Sequence, residues 1–212
     1  MRSLRILCCL LTVIALGAGC GDDQSDSGDT SAEGDGCAAL IDRSAELAAL
    51  GSASQEQRID VGGLPACQAQ VDGSNAGVDQ IQVIQVPAEE WARTLPDLID
   101  ELLESDVIDD PAQRRKLEQG REMITSDDQL TPDSACELFT TLVVSLQGLE
   151  KGARSIVNVL PDPQSPLAAN GQACSDGSYT SVQVESASAL AVDEALLGQV
   201  RAALDDYHEG PL

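Results

Sequence analysis

The stretch GCAALIDRSAELAAL, residues 36–50, has a counterpart in SACELFTTLVVSLQGL, residues 134–149, and the pair decides how the fold is read. In each, a cysteine enters a segment whose apolar residues recur at helical spacing. These are Leu40, Ile41, Leu47 and Leu50 in the first, and Phe139, Leu142, Val143, Leu146 and Leu149 in the second, which Gly152 ends. The correspondence runs on at a fixed offset of 99 residues (136 − 37). Cys37 matches Cys136, Leu47 matches Leu146, Val61 matches Leu160, Val83 matches Val182 and Leu98 matches Leu197. This suggests an internal duplication, with halves at about 37–105 and 134–207.

The remaining elements follow outward from these helices. Gly62-Gly63-Leu64-Pro65 is a turn leading into Ala66–Val71, and Asp72–Gly77 is a hairpin-like connection. Gln80-Ile81-Gln82-Val83 alternates as a half-buried strand, and Trp91, Leu95, Leu98, Ile99, Leu102 and Leu103 return to helical spacing. Thr94 and Asp97 are expected to cap that helix, with Pro96 in its first turn. Ser155–Leu160 reads as a strand stopped by Pro161 and Pro163, Tyr179–Val184 as another, and Leu196, Leu197, Val200 and Leu204 as a final helix. Asp110-Pro111 opens a charged helix that links the halves. The fold class is therefore α+β: an antiparallel sheet packed with amphipathic helices, one domain over 37–212.

The cysteines sharpen this. Cys37, Cys67, Cys136 and Cys174 form an even set, none in a Cys-x-x-Cys pair, so disulfides are expected and redox-motif or zinc-ribbon readings are weak. Three connectivities are open, and spacing favours Cys37–Cys67 and Cys136–Cys174, one bridge within each half.

The N-terminal residues point to export. Arg2 and Arg5 precede the apolar run Ile6–Leu16, and Leu16-Gly17-Ala18-Gly19-Cys20 closes it with small residues. The run falls short of the roughly 20 apolar residues that span a bilayer. The ending resembles the bacterial lipobox, with residues 1–19 as signal and Cys20 as the lipid-bearing first residue of the mature chain. It departs from that pattern in placing Gly17 where a leucine is usual, with Leu16 one step further out. Cleavage after a small residue and release as a soluble protein is the alternative; retention in the cytosol ranks behind both. Lipidation is favoured because Cys20 has no partner once the other four cysteines pair. The residues that follow also make a tether. Gly21–Gly36, GDDQSDSGDTSAEGDG, contains one hydrophobic residue, Ala32, and cannot bury enough surface to offset its chain entropy. Random-coil scaling gives it a span of roughly 20–25 Å. Its acidic residues lack the spacing of an EF-hand loop. The lipidated cysteine and tether thus occupy 20–36, and the domain is expected at the outer side of the cell membrane.

The full chain carries a net charge of −24, and loss of Arg2 and Arg5 makes it −26 (−24 − 2). Such a surface disfavours nucleic acid and anionic headgroups as direct ligands. Aromatic residues number only Trp91, Phe139, Tyr179 and Tyr207, too few for a platform that stacks sugars or bases. Trp91 at the head of its helix reads as a core anchor. His208 is the single histidine, near a chain end expected to be mobile, and reads as a surface residue. Histidine-rich zinc sites are excluded, and neither a metal nor a cofactor is expected. Arg114, Arg115 and Lys116 lie among Asp109, Asp110, Glu118 and Glu122, so local charge pairing outweighs a phosphate site. The pairs Glu89-Glu90, Asp109-Asp110, Asp127-Asp128 and Asp205-Asp206 read as solvated surface, since adjacent residues do not face each other. No phosphate loop, nucleophile elbow or dinucleotide fingerprint is present, and Asn75, Asn158 and Asn170 lie outside glycosylation sequons.

Three features together resemble a family of actinobacterial lipoproteins classed as a domain of unknown function: a lipobox, a polar tether and a Cys-x-x-Leu helix opening the domain. Here the last is Cys37-Ala38-Ala39-Leu40, followed by Leu47-Ala48-Ala49-Leu50-Gly51 and by Gly63-Leu64-Pro65 before the second cysteine. Cys136-Glu137-Leu138 repeats the opening. Gln68-Ala69-Gln70 departs from the pattern, which often carries an aromatic near that cysteine. The resemblance implies no catalytic residues. The expected function is a non-catalytic binding or interaction module of the envelope, its partner an envelope protein or a small ligand. The alternatives are a carrier of an apolar or lipid cargo and, behind it, a carboxylate-based hydrolase.

Overall fold

The computed structural model describes residues 34–74, 76–104, 111–126, 130–141, 154–188 and 190–209. The signal, Cys20, nearly all of the tether and the helix expected through Leu142–Gly152 lie outside the described residues.

Two short helices, α1 (Gly34–Ile41) and α2 (Ala45–Ala48), open the domain. They are separate because Ser44 leaves helical geometry to cap α2, accepting from Leu47 N at 3.3 Å. Three strands follow: β1 (Ser52–Val61), β2 (Leu64–Asp72) and β3 (Gln80–Pro87). Next come helices α3 (Ala88–Glu104), α4 (Pro111–Ser126) and α5 (Pro132–Phe139). The second half closes with β4 (Ser155–Asp162), β5 (Ser165–Ser175), β6 (Ser178–Glu185) and helix α6 (Glu194–Glu209).

All six strands form one antiparallel sheet in the order β1-β2-β3-β6-β5-β4. Each half contributes a three-strand meander, and the two meet where β3 pairs β6. Val83 pairs Val182, residues 99 apart, while Ile81 pairs Val184 and Gln85 pairs Thr180. Adding the same offset to one residue of either flanking pair gives a member of the other. The central strands therefore obey a local two-fold axis normal to the sheet beside Val83 and Val182.

The helices do not obey it. One face of the sheet, face A, is covered by α1, α2 and α6, whose Ile41, Leu47, Leu196, Val200 and Leu204 pack on Val83, Val182 and their neighbours. The opposite face B carries α3, α4 and α5 over Ile84, Val86 and Tyr179. Thus α1 and α5, the two cysteine helices, sit on opposite faces. Register explains this. Cys67 pairs Val83, but the residue that pairs Val182 is Gly171, and Cys174 lies three positions further along β5. An odd shift along a strand turns a side chain to the other face. Where the first half holds Cys67 and α1, the second brings α6 directly onto Gly171. A Cβ there would stand 2.7 Å from Val200 Cγ1 and 2.9 Å from Leu204 Cδ1.

Both disulfides form, Cys37–Cys67 and Cys136–Cys174. On face A, Arg43 ties the layers together by donating to Gln85 Oε1 at 3.2 Å and to the Tyr207 carbonyl at 3.4 Å. Tyr207 in turn donates to the Leu40 carbonyl at 2.8 Å. On face B, Trp91 stacks on Tyr179 with centroids 4.9 Å apart and meets Phe139 edge-on at 5.5 Å. Trp91 is a core anchor, as its position indicates.

Several boundaries differ from the sequence expectation. Helix α3 begins at Ala88, so Thr94 does not cap it and Pro96 lies inside it. Thr94 Oγ1 instead bonds back to the Trp91 carbonyl at 2.7 Å. Strand β4 runs through Pro161, which a sheet edge permits because no inner ladder bond is lost. Strands β1 and β5 had no signal of their own. The first is an exposed edge with a bulge at Gln55 (φ 50°), and the second is rich in small residues where α6 approaches.

Candidate binding site

Face B is divided. The apolar residues Ile84, Val86 and Tyr179 underlie α3 and α5 at one end. At the other end every central strand presents amide or hydroxyl side chains at alternate positions. These are Gln68 and Gln70 on β2, Gln80 and Gln82 on β3, Ser181 and Gln183 on β6, and Asn170 and Gln172 on β5. Pairing aligns them: Gln68 opposes Gln82, Gln70 opposes Gln80, Gln82 opposes Gln183, and Asn170 opposes Gln183. Because opposed residues share a face, the strands lay down one continuous floor of carboxamides.

Hydrogen bonds connect this floor. Asn170 Nδ2 donates to Ser181 Oγ at 3.1 Å and to Gln183 Oε1 at 3.2 Å, and accepts at Oδ1 from Gln172 Nε2 at 2.9 Å. Gln70 donates to Gln80 Oε1 at 3.3 Å, and Gln80 to Glu185 Oε2 at 3.4 Å. Gln183 Nε2 also donates to Glu185. At the rim, Gln57 donates to Gln68 at 2.7 Å. Gln82 breaks the pattern: its side chain is only 3% exposed, yet its Nε2 has no partner. A buried donor left unmade costs about 1–3 kcal/mol, so this atom favours any acceptor brought to it. The floor holds donors and acceptors of both kinds, its central members Gln82, Asn170, Gln172, Ser181 and Gln183 are buried, and Glu185 adds an acidic side chain.

The sequence showed Gln80 and Gln82 as the polar side of an alternating strand, which would normally be solvated. The missed signal is repetition: QAQ at 68–70, QIQ at 80–82, NGQ at 170–172 and QVE at 183–185 place polar side chains at i and i+2 on four strands.

A second feature lies at the far end of the sheet. A pocket of about 250 Å³ is lined by both sulfur-bearing residues Cys136 and Cys174, together with Arg154, Asp133, Glu137 and Asp176. Beside it Ser175 Oγ lies 3.0 Å from His208 Nδ1. His208 is thus neither in a mobile tail nor on the open surface. It ends α6, half-buried, with its Nε2 buried and unpartnered. Burial lowers its pKa from the ordinary histidine value, while the charges of Asp176 and Asp205 act in the opposite sense. Among the described residues no carboxylate bonds the second ring nitrogen. Burial likewise pushes the phenols of Tyr179 and Tyr207 well above their ordinary value, with Arg43 opposing the rise at Tyr207.

The other residues read from the sequence are dispersed. Arg114 donates to the Leu103 carbonyl at 2.6 Å and Arg115 to the Pro111 carbonyl at 3.2 Å, both structural contacts. Arg121 pairs with Asp100, and that hydrogen bond and charge raise its pKa. Asp206 accepts from Ser44 Oγ at 2.9 Å. The pairs Asp109-Asp110 and Asp127-Asp128 lie outside the described residues, as does Cys20. Among the described residues no group of His, Cys, Asp and Glu is placed to hold a metal, and no helix is long and apolar enough to cross a membrane. No family model, no curated protein and no solved structure matches this chain.

Proposed function

We propose that this protein is a lipid-anchored, non-catalytic binding module of the cell envelope, held by Cys20 on the outer side of the membrane, with the carboxamide floor as its ligand site. The anchor reading is supported by the signal-like run before Cys20. It is also supported by the two disulfides, which use Cys37, Cys67, Cys136 and Cys174 and leave Cys20 without a partner in the mature chain. The resemblance to tethered lipoproteins, carried by Cys37-Ala38-Ala39-Leu40, points the same way.

The observation that carries the binding reading is the unpartnered, buried Gln82 Nε2 at the centre of a connected amide network. The ligand that complements it is a small uncharged molecule rich in carbonyl, amide or hydroxyl groups. The net charge argues against anions and nucleic acid as the ligand. Native mass spectrometry of the protein extracted from its own membrane tests this. The expected result is a reproducible excess mass beyond the lipid, released on denaturation and lost in Gln82→Met. A lipid-like excess mass would replace this ligand with an apolar cargo. A bare protein mass would overturn the small-ligand reading in favour of docking onto an envelope protein.

A further inference from the structure

The two disulfides have opposite surroundings. Cys37 is 0% and Cys67 4% exposed, sealed in the face A core with Ile41 and Leu47. In the second bridge Cys174 is 1% exposed, but Cys136 is only partly buried and both residues line the 250 Å³ pocket. The pocket therefore opens solvent space beside the second bridge, whereas the first is enclosed by core. Thiol–disulfide exchange depends on access to a particular sulfur.

We propose that Cys136–Cys174 is a site of reversible thiol exchange, selective for neutral or cationic small thiols. The thiolate of the incoming molecule attacks Cys136 Sγ. A new sulfur–sulfur bond forms between them, the Cys136–Cys174 bond breaks, and its electron pair leaves on Cys174 Sγ as a thiolate. A second equivalent of thiol releases Cys136 as a thiolate, with the small molecule departing as its own disulfide. Oxidation of the thiol to that disulfide balances reduction of the protein. Selectivity comes from the rim, where Asp133, Glu137 and Asp176 outnumber Arg154. The negative excess disfavours an anionic thiol and favours a cationic one.

Opening this bridge would have a local consequence. It is the covalent link between α5 and β5, and α5 carries Phe139 against Trp91. Cys174 pairs Tyr179, the ring on which Trp91 stacks. The single tryptophan thus touches a ring on the helix that carries Cys136 and the ring paired with Cys174. This inference does not depend on what binds the carboxamide floor.

The test uses the oxidised mature protein under native conditions. It is exposed to cysteamine, 2-mercaptoethanol and 2-mercaptoethanesulfonate at equal thiolate concentration, quenched with iodoacetamide and mapped by peptide mass spectrometry. The expected first product is a mixed disulfide on Cys136 with alkyl label on Cys174, formed at least about tenfold faster than any label on Cys37 or Cys67. Cysteamine should react about threefold to tenfold faster than the sulfonate, a gap that narrows in 1 M salt. Asp133→Asn with Glu137→Gln, both exposed positions, should speed the sulfonate reaction and leave the melting temperature unchanged. Equal labelling of all four cysteines, or earlier labelling of Cys37 and Cys67, would overturn the site. Equal rates for the three thiols would overturn the pocket as the route. No exchange short of unfolding would overturn both.

Discussion

The two halves contribute the same three-strand meander to one sheet but surround it differently. Around Val83 and Val182 the local two-fold relates the strands, and the centre of face A respects it in that one pair, both beneath helices. Face B does not. There the same axis carries Ile84 onto Gln183 and Val86 onto Glu185, so the apolar floor under α3 and α5 maps onto the carboxamide floor. The cysteines diverge with it. Cys67 takes the position of Gly171, while Cys174 takes that of Gln70 and secures its helix on the opposite face. Backbone pairing tolerates a repeated plan, because ladder hydrogen bonds are indifferent to side chains. Side-chain chemistry then assigns each face and end its covering, and one end of face B receives a polar lining in place of core.

The contrast between the disulfides is the easiest part of this to break. The bridges span 30 and 38 residues, for which chain entropy alone gives about 3.6 and about 3.9 kcal/mol. Loop length thus makes them nearly equal, and any larger difference measures their surroundings. The Cys37→Ala, Cys67→Ala double variant should lose more stability in urea titration than Cys136→Ala, Cys174→Ala, by about 1 kcal/mol or more. It alone leaves an unfilled gap at two fully enclosed sites. Equal losses would mean that burial of the first bridge adds nothing.

Glycine substitutions probe where α6 replaces a disulfide-linked helix. Gly171→Ala sets a Cβ 2.7 Å from Val200 and 2.9 Å from Leu204, and should cost about 1–3 kcal/mol as α6 is displaced. Gly198→Ala, on α6 itself with open space around its Cβ, should instead stabilise by about 0.5–1 kcal/mol. Thermal melts of the pair separate close approach from helix propensity. If both variants behave alike, α6 does not rest on Gly171 as described.

The carboxamide floor yields a smaller, signed test. Gln82→Met removes a buried donor that has no partner and should leave unliganded protein as stable or up to about 1 kcal/mol more stable. Asn170→Leu strands Gln172, Ser181 and Gln183 and should destabilise by about 1–3 kcal/mol. Chemical denaturation of ligand-free protein distinguishes them, and destabilisation by Gln82→Met would show that its amide is already paired.

The smallest expected effect is on pH dependence. His208 has its pKa lowered on folding, so between that value and the unfolded value near 6.5 the unfolded state binds more protons. The contribution is fully present above 6.5 and is lost as pH falls through the folded pKa. A comparison of His208→Gln with the parent should show the parent losing more stability on acidification from pH 7 to 5. Parallel curves would place the imidazole in water.

Much of the architecture was legible because period and turn chemistry are local. Alternation marked β3 and β6, helical spacing marked α3 and α6, and cysteine spacing favoured the pairing that forms. Thr131 with Ser134 makes a reciprocal cap that starts α5, which the helical spacing after Cys136 did not mark. Strand β1 was illegible because an exposed, bulged edge need not alternate, and β5 because its small residues are chosen by the helix above them. The start of α3 was misplaced because a Pro96 that suits a first turn is also tolerated inside a long, well-packed helix.

The chain by itself therefore determined the types of most of its elements, its acidity and its even set of cysteines, since each follows from composition or from neighbours along the sequence. Only the tertiary structure decided which face each cysteine helix covers, that four short polar repeats meet as a single floor, and that one disulfide is sealed while the other lines a pocket. These depend on register between strands distant in sequence, where a shift of three residues reverses the direction of a side chain and leaves the local pattern unchanged.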